Sequence, residues 1–540
     1  MNQNSGGTLI SGAASSSYTP LTADAGTVYY YAVVINANDN VNGVQTASVA
    51  SSTVEIVVNA PPVTYAIGFY DENLSFIESV SLQEGNINPS NIKSGSWYKK
   101  GENTPLVFFY LDSDINLYAI ANVKEIITQE DLNNVRTDLS GKYILLNDIE
   151  LNATDGAAGF DSGGWQNIGS SINVCFSGLF NGNNHTISNL QINRTTDYVG
   201  LFGIIRGANV KNIRVWGNIK GAGYVGGITG RVHSSNLTNA YFKGNVVGTS
   251  SGVGGIAGYN TDGGTVSHSF SEGTVSGAGS VGGIVGYNSA SIERSHSSAN
   301  LSGTTNVGGI VGYHISSAII KNSYFAGNVN ASGENVGGIA GRSQDSAVEN
   351  SYSTGNVSST SQNVGGIIGY NYTYSSIKNS YSAGTISGTN RIGGIAGYTN
   401  GARNVTNTYS TAIVIGSGNN VGGITGYISN ISPVSNNVAL NPSINGTSAV
   451  SRIGSFASGT LSNNFASDDV LVNGSTVTGD DGSGVNGIDK TIAELKTETT
   501  YSDSITNGGL GWSFGNDDEN PWKIDLNKND GLPYLYWQEL

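Results

Sequence analysis

Side chains able to carry acid–base or metal chemistry are sparse in this chain, and they do not cluster. Between Val199 and Asn464 the carboxylates are Asp262, Glu272, Glu293, Glu334, Asp345 and Glu349. A polysaccharide lyase or glycoside hydrolase needs two or three such groups, or acids with Arg and Lys, converging on one substrate. Their scatter argues against that class. The histidines are His185, His233, His268, His296 and His314, and no His-Glu-x-x-His occurs, so the zinc-protease helix is missing. A single cysteine, Cys175, excludes an intramolecular disulfide and a multi-cysteine zinc site. The most ion-like stretch is Asp525-Leu526-Asn527-Lys528-Asn529-Asp530-Gly531, where Asp525, Asn527 and Asn529 set oxygens at alternate positions as a calcium loop does. The glycine comes one residue late and no Glu holds the twelfth position. An Asn/Asp-rich turn accounts for the stretch equally well. No cofactor is expected, with calcium at these three residues as the alternative.

With no visible active site, the elements that would position one become the question. The chain has 540 residues, 77 glycines, 28 tyrosines, 12% charged residues and a net charge of −15. Regular Val, Ile and Tyr argue against disorder, and an acidic chain without Lys/Arg clusters argues against nucleic-acid binding. No apolar run approaches the roughly 18 residues of a membrane span, so no membrane insertion is expected. Met1–Gly7 has no basic and apolar leader. The expectation is a piece of a longer exported protein, extracellular or on a bacterial cell surface, or export by another route.

One octamer recurs. VGGITGRV begins at Val225, VGGIAGYN at Val253, VGGIVGYN at Val281, VGGIVGYH at Val307, VGGIAGRS at Val336, VGGIIGYN at Val364, IGGIAGYT at Ile392 and VGGITGYI at Val421, with looser relatives at Val199 and Ile453. The starts lie 26 to 32 residues apart, a repeat architecture. Short strands with Gly, Asn and Ser corners predict an all-β, right-handed parallel β-helix of about ten coils, two or three strands per coil. Val and Ile of VGGI are three apart, so a bend or bulge at the glycine pair must point them the same way, helped by positive φ or close coil approach.

Stacked coils predict ladders. Tyr241, Phe270, His296, Tyr324, Tyr352, Tyr381 and Tyr409 share one phase, and Asn322, Asn350, Asn379 and Asn407 another. Glu293, Lys321, Glu349 and Lys378 alternate in sign, which predicts pairing between neighbouring coils. Thr274 and Thr385 share a phase with Asn245, Asn300, Asn328 and Asn356, a poor match to the flat threonine row of an ice-binding surface. Tyr259, Tyr287, Tyr313, Tyr370, Tyr398 and Tyr427 precede variable connections such as Asn260–Gly264, Asn371–Ser376 and Thr399–Asn404, with Ser343–Ala347 following a Gly-Arg in the same place. Variable loops on a rigid scaffold carry recognition, so these tyrosines are the candidate binding residues. The structural alternative is that they only stack.

Upstream, YYYAVVIN (29–36) and TASVASSTVEIVV (46–58) flank a polar turn, ANDNVNG, and resemble the last strands of a bacterial immunoglobulin-like domain. Beyond Pro61-Pro62, residues 61–122 resemble an internalin-type β-grasp repeat, with Trp97-Tyr98 before the strand Leu117-Tyr118-Ala119. Such modules act as spacers. Thr128, Asp131, Leu132, Val135 and Leu139 predict a capped amphipathic helix over the first coil. The expected organisation is 1–60 partial immunoglobulin-like sandwich, 61–122 β-grasp spacer, 123–198 cap and first coils, 199–465 repeats, and 466–540 C-terminal cap.

The octamers, GKYILLNDIEL, FSGLFNGNNHTISNL and the closing PWKIDLNKNDGLPYLYWQ resemble the GLUG-motif family over residues 123–540. That resemblance implies a non-catalytic, adhesin-like surface protein or stalk attaching to cell-surface glycan or protein, and carries over no catalytic residue. The alternatives are a β-helix lyase or hydrolase and the non-catalytic region of a larger secreted protease.

Overall fold

The computed structural model describes residues 7–10, 15, 17–20, 24–38, 46–456 and 459–539. Residues 39–43 of the expected polar turn lie outside them. The chain divides into two compact units, one of residues 1–71, 76–99 and 104–120, the other of 72–75, 100–103 and 121–540.

In the first unit the two β-rich runs each break into two strands. Gly26–Tyr30 pairs antiparallel with Val54–Val58, and Val33–Ala37 with Thr46–Ala50. Next, Thr64–Tyr70 lies antiparallel to Phe76–Gln83 and parallel to Ile115–Tyr118. A one-turn helix, Pro89–Ile92, is capped by Asn88. Trp97 packs edge-on to Phe69 at 4.7 Å, and its indole N–H donates to Lys93 O at 2.7 Å.

The second unit is a parallel β-solenoid. Thr128 and Asp131 form the expected capping box, but the helix runs only Gln129–Asn134 before tightening into a 3-10 turn at Val135–Thr137. Leu132 and Val135 are buried in the solenoid core. From there the coils add strands to two sheets, one of 41 strands and one of 10. Each coil is cut more finely than expected. One runs Ala347–Glu349, Tyr352–Ser353, Asn356–Ser359, Val364–Gly365 and Ile368–Tyr372.

The octamers stack in register: Val225 on Val253, Val253 on Val281, and so on to Val421 on Val450. The last relative therefore begins at Val450, and Ile453 lies over Ile424 through its backbone instead of opening the octamer. Val and Ile of VGGI are all fully buried. Their glycines do not use positive φ, which corrects one half of the expectation. Close approach is the whole reason. A Cβ on Gly338 would meet Gly366 O at 2.1 Å, and one on Gly337 would meet Ala340 O at 2.1 Å. Where no further octamer stacks, Arg452 takes the place of the second glycine above Gly423. Its guanidinium is buried, bonding Asp489, Ser467 O and Asn486 O.

Both uncharged ladders form. Asn322, Asn350, Asn379 and Asn407 turn the chain at φ 52, 48, 49 and 55, a left-handed corner that asparagine tolerates better than most residues. Asn379 donates to Asn350 Oδ1 at 3.0 Å and Asn407 to Asn379 Oδ1 at 3.2 Å. The aromatic row stacks from Tyr241 to Tyr409 at centroid spacings of 4.3–5.1 Å.

The charge ladder is in register but does not pair rung to rung. Lys321 instead reaches Asp518 of the C-terminal segment at 3.0 Å, and among the described residues no ion pair joins successive rungs. Asp518 also accepts from Asn322 and Tyr536, so it is a fixed anion that out-competes a mobile neighbour.

Two stability measurements follow from this packing. Gly338→Ala should cost about 1–3 kcal/mol by overpacking, read as an earlier circular-dichroism melt. A melt matching the parent would mean the coils separate freely. Asp518→Ala should lower the melting temperature more than Glu349→Lys does. The reverse order would restore rung-to-rung pairing as the main electrostatic contribution.

Candidate functional site

The ten-stranded sheet positions the candidate tyrosines. Its strands include Thr229–His233, Ala257–Thr261, Val285–Asn288, Val311–Ile315, Ala340–Gln344, Ile368–Tyr372, Ala396–Asn400 and Thr425–Ser429. Alternation sends one residue of each strand outward and the next inward. Because coils stack in register, the outward residues form one row: Arg231, Tyr259, Tyr287, Tyr313, Arg342, Tyr370, Tyr398 and Tyr427. All eight are half-buried. The six tyrosines thus share one face.

The arginines were missed as partners, although Gly-Arg replaces Gly-Tyr in their octamers. The Arg342 guanidinium lies 5.0, 5.6 and 5.4 Å from the rings of Tyr313, Tyr370 and Tyr372. Arg391, from a flanking corner, sits 4.5 Å from Tyr398 and 5.7 Å from Tyr427, and Arg231 5.1 Å from Tyr259. At these distances cation–π attraction holds the rings and keeps the cations beside them. Tyr198 and Tyr224 extend the stack upstream at 5.0 and 5.3 Å.

Ring orientation divides the row. Tyr370 and Tyr398 are parallel at 4.9 Å, only 7° apart. Tyr287 instead stands at 81° to Tyr259 and 77° to Tyr313. Polar tips are ordered: Tyr313 donates to Gln344 at 2.9 Å, and Asn400 donates to the Tyr370 hydroxyl at 3.1 Å. Burial, and then the neighbouring phenols of Tyr259 and Tyr313, push the Tyr287 hydroxyl up to about 12. Burial also raises Tyr370 and Tyr224. These phenols stay neutral near pH 7, suited to hydrogen bonding and poorly suited to taking a proton.

Four of the six scattered acids take separate partners. Asp262 meets His233 at 2.8 Å and Arg231 at 3.2 Å. Its carboxyl is held low, chiefly by the Thr261 hydroxyl. Glu272 pairs with Lys243 at 2.6 Å, Glu293 lies 3.6 Å from Arg294, and Glu334 accepts from Gln362 at 3.1 Å. Among the described residues no group of three His, Cys, Asp or Glu could hold a metal. At the candidate calcium stretch, Asp525 accepts from Asn527 N at 2.9 Å, while the Asn529 amide donates to Tyr409 at 2.7 Å and Pro533 O at 2.8 Å.

Behind the tyrosine row runs an inward polar row, which takes in Asn260, Ser343, Asn371 and Thr399 from the expected surface connections. Asn260, Asn288, His314, Ser343, Asn371 and Thr399 stack in register and are fully buried. The first residue of each connection still belongs to a strand, and the surface begins later, as at Tyr374, 62% exposed. Asn260 donates to Asn288 at 2.8 Å. Asn288 in turn lies 3.1 Å from His314 Nδ1, and His314 Nε2 lies 3.1 Å from Ala347 O. With Nε2–H donating and Nδ1 accepting, this chain is satisfied only by a neutral imidazole.

Residues 249–276, 332–358 and 360–387 match the GLUG motif. Over 118 residues, 21% of this chain, the sequence is 33% identical to halomucin of Haloquadratum walsbyi, and the match spans about 1% of that protein's length. Among solved structures, a candidate immunoglobulin A1 protease from Bacteroides ovatus aligns with 77% of this chain and 92% of its own, at 20% identity and a TM-score of 0.25. An IgA1 protease aligns with 72% of this chain and 26% of its own, at 14% identity and a TM-score of 0.26.

Burial lowers the His314 pKa from 6.5 to about 4. Between those values the unfolded chain binds the proton and the folded chain does not, so stability is lost as pH falls from 6.5 toward 4. The loss from this residue is roughly 2 kcal/mol at pH 5. Melts at pH 7 and pH 5 should therefore differ more for the parent than for His314→Asn. Equal differences would mean that the imidazole is already charged, or solvated, in the folded state.

Proposed function

We propose that this chain is a non-catalytic repeat segment of a surface or secreted protein, and that its tyrosine–arginine face attaches to cell-surface glycan or protein. The observation that carries the reading is the row from Arg231 to Tyr427, in which half-buried rings and guanidinium groups repeat at the strand spacing. Such a face offers hydroxyl and N–H donors, ring edges and aliphatic stems in a line. Each contact is weak, and many engaged together give avidity. GLUG repeats support a displayed repeat protein. Asp262, Glu272, Glu293 and Glu334 each take a separate partner, which speaks against a lyase, since such a site needs acids converging beside a polarising group.

The N-terminal unit is read as immunoglobulin-like and β-grasp spacer modules, consistent with the same role. No helix among the described residues is long and apolar enough to cross a membrane. The partners proposed are glycan or protein, not nucleic acid.

The competing reading is a stalk whose tyrosines serve only each other, favoured by the near-parallel Tyr370–Tyr398 stack. Replacing both with serine should cut adhesion of protein-coated beads to target cells several-fold, on the order of the loss of two cation–π or stacking contacts. The circular-dichroism spectrum should stay β-rich. Adhesion at the parental level with the fold intact would leave the stalk reading. A panel of acidic and neutral polysaccharides should show no turnover, and turnover lost in Asp262→Asn would replace attachment with catalysis.

A further inference from the structure

A second surface, on the flank away from the tyrosine–arginine face, is defined by what the C-terminal segment does. Residues 512–539 fold back along the solenoid over the aromatic ladder. Trp537 stacks on Tyr324 and Tyr352 at 6.2 and 5.5 Å, and Trp522 lies 6.5 and 6.0 Å from Tyr381 and Tyr409. The covered end is sealed, with Tyr381 4% and Tyr409 1% exposed.

Two tryptophans of this segment share one polar contact. The Trp537 indole N–H donates to Asn350 O, and that of Trp512 to Asn436 O, both at 2.9 Å. Asn350 and Asn436 are left-handed corners, at φ 48 and 59. Such a corner points its carbonyl away from the ladder of coil-to-coil bonds and leaves it open to an outside donor. The segment adds an anion, Asp518, which meets Lys321, Asn322 and Asn350.

The ladder continues upstream of this cover. Tyr241, Phe270 and His296 are half-buried and stacked at 5.1 and 4.3 Å. His268 and Arg294 are left-handed corners like Asn350, at φ 50 and 47, and among the described residues nothing donates to their carbonyls. Trp216, on the strand beside Lys243, is 44% exposed. Around the run Lys243 pairs with Glu272 at 2.6 Å, and Arg294 lies 3.6 Å from Glu293 and close to the Tyr536 hydroxyl, while Arg214, beside Tyr241, adds one further cation in a chain of net charge −15. The segment that covers the other half carries Asp517, Asp518 and Glu519.

We propose that the uncovered run Tyr241–Phe270–His296, with the His268 and Arg294 carbonyls, docks an acidic, tryptophan-bearing polypeptide segment of a partner. The surface repeats, two and three coils upstream, the ring stack and open corner carbonyls that Trp537 already uses. Continuity with that intramolecular interface fixes the chemistry of the occupant: an indole to stack and donate, and a carboxylate that competes with Glu293 for Arg294.

The test uses a fluorescein-labelled peptide of residues 511–539 titrated into the full chain by fluorescence polarisation. Saturable binding is expected, weakened roughly tenfold by Phe270→Ser with His296→Ser. Arg294→Glu, a surface change that keeps the fold if the double variant does not, should weaken binding at low salt and less at high salt. A peptide with serine at its three tryptophan positions should not bind. The proposal is overturned by the absence of saturable binding, by parental affinity in both variants, or by equal binding of the tryptophan-free peptide. Binding lost only in Tyr352→Ser would mean displacement of the chain's own cover. Self-association that Phe270→Ser abolishes would make the occupant a second copy. Either result also overturns it.

Discussion

Every coil is hydrogen-bonded through its backbone to the next at about 4.8 Å, and the rest of the solenoid answers to that spacing. At this distance an octamer Cβ would collide with the neighbouring coil, as at Gly338, so the glycines are required by close approach. The same spacing puts like residues on top of one another. It suits rings, which stack at 4.3–5.1 Å along one flank. It also suits amides, which donate from Asn379 to Asn350 and from Asn407 to Asn379. A repeat that satisfies the backbone therefore generates rows of identical chemistry without further selection at each coil.

Rows make the ends and flanks the places where the protein departs from its own rule. At the start a short helix buries Leu132 and Val135 against the first coil. At the end Arg452 stands where a glycine would, because beyond it lies a folded tail that its guanidinium can bond. The tail then runs back along the aromatic flank. Asp518 draws Lys321 out of the charge ladder and so ties the tail to coils far away in sequence.

Much of this was legible in the sequence because the period is short and the octamers nearly invariant. Register, the aromatic and asparagine ladders and the capping box at Thr128–Asp131 all follow from spacing. What was not legible depends on contacts between distant segments. Nothing in the spacing of Lys321 and Glu349 announces that Asp518 will intervene. Ile453 has the look of a lead residue by spacing, whereas Val450, three residues earlier, holds that position. The connections were read as loops from their polar letters, yet Asn260, Asn371 and Thr399 point into the solenoid and pair or stack there. The six tyrosines were found by recurrence alone. The arginines that lie against them were not, because Arg342 and Arg231 break the recurrence and Arg391 comes from a neighbouring corner.

The stacking direction also sets how the protein answers to tension. Backbone bonds between coils run along the solenoid axis, so a pull along that axis loads them one coil at a time, as in opening a zip. Each coil occupies about 4.8 Å of axis but stores 26 to 29 residues of contour, roughly 90 Å or more when drawn out. Peeling a terminal coil would lengthen the molecule nearly twentyfold at that point while leaving the remaining rows in register. A solenoid built this way yields in equal increments, its reserve of length counted in coils.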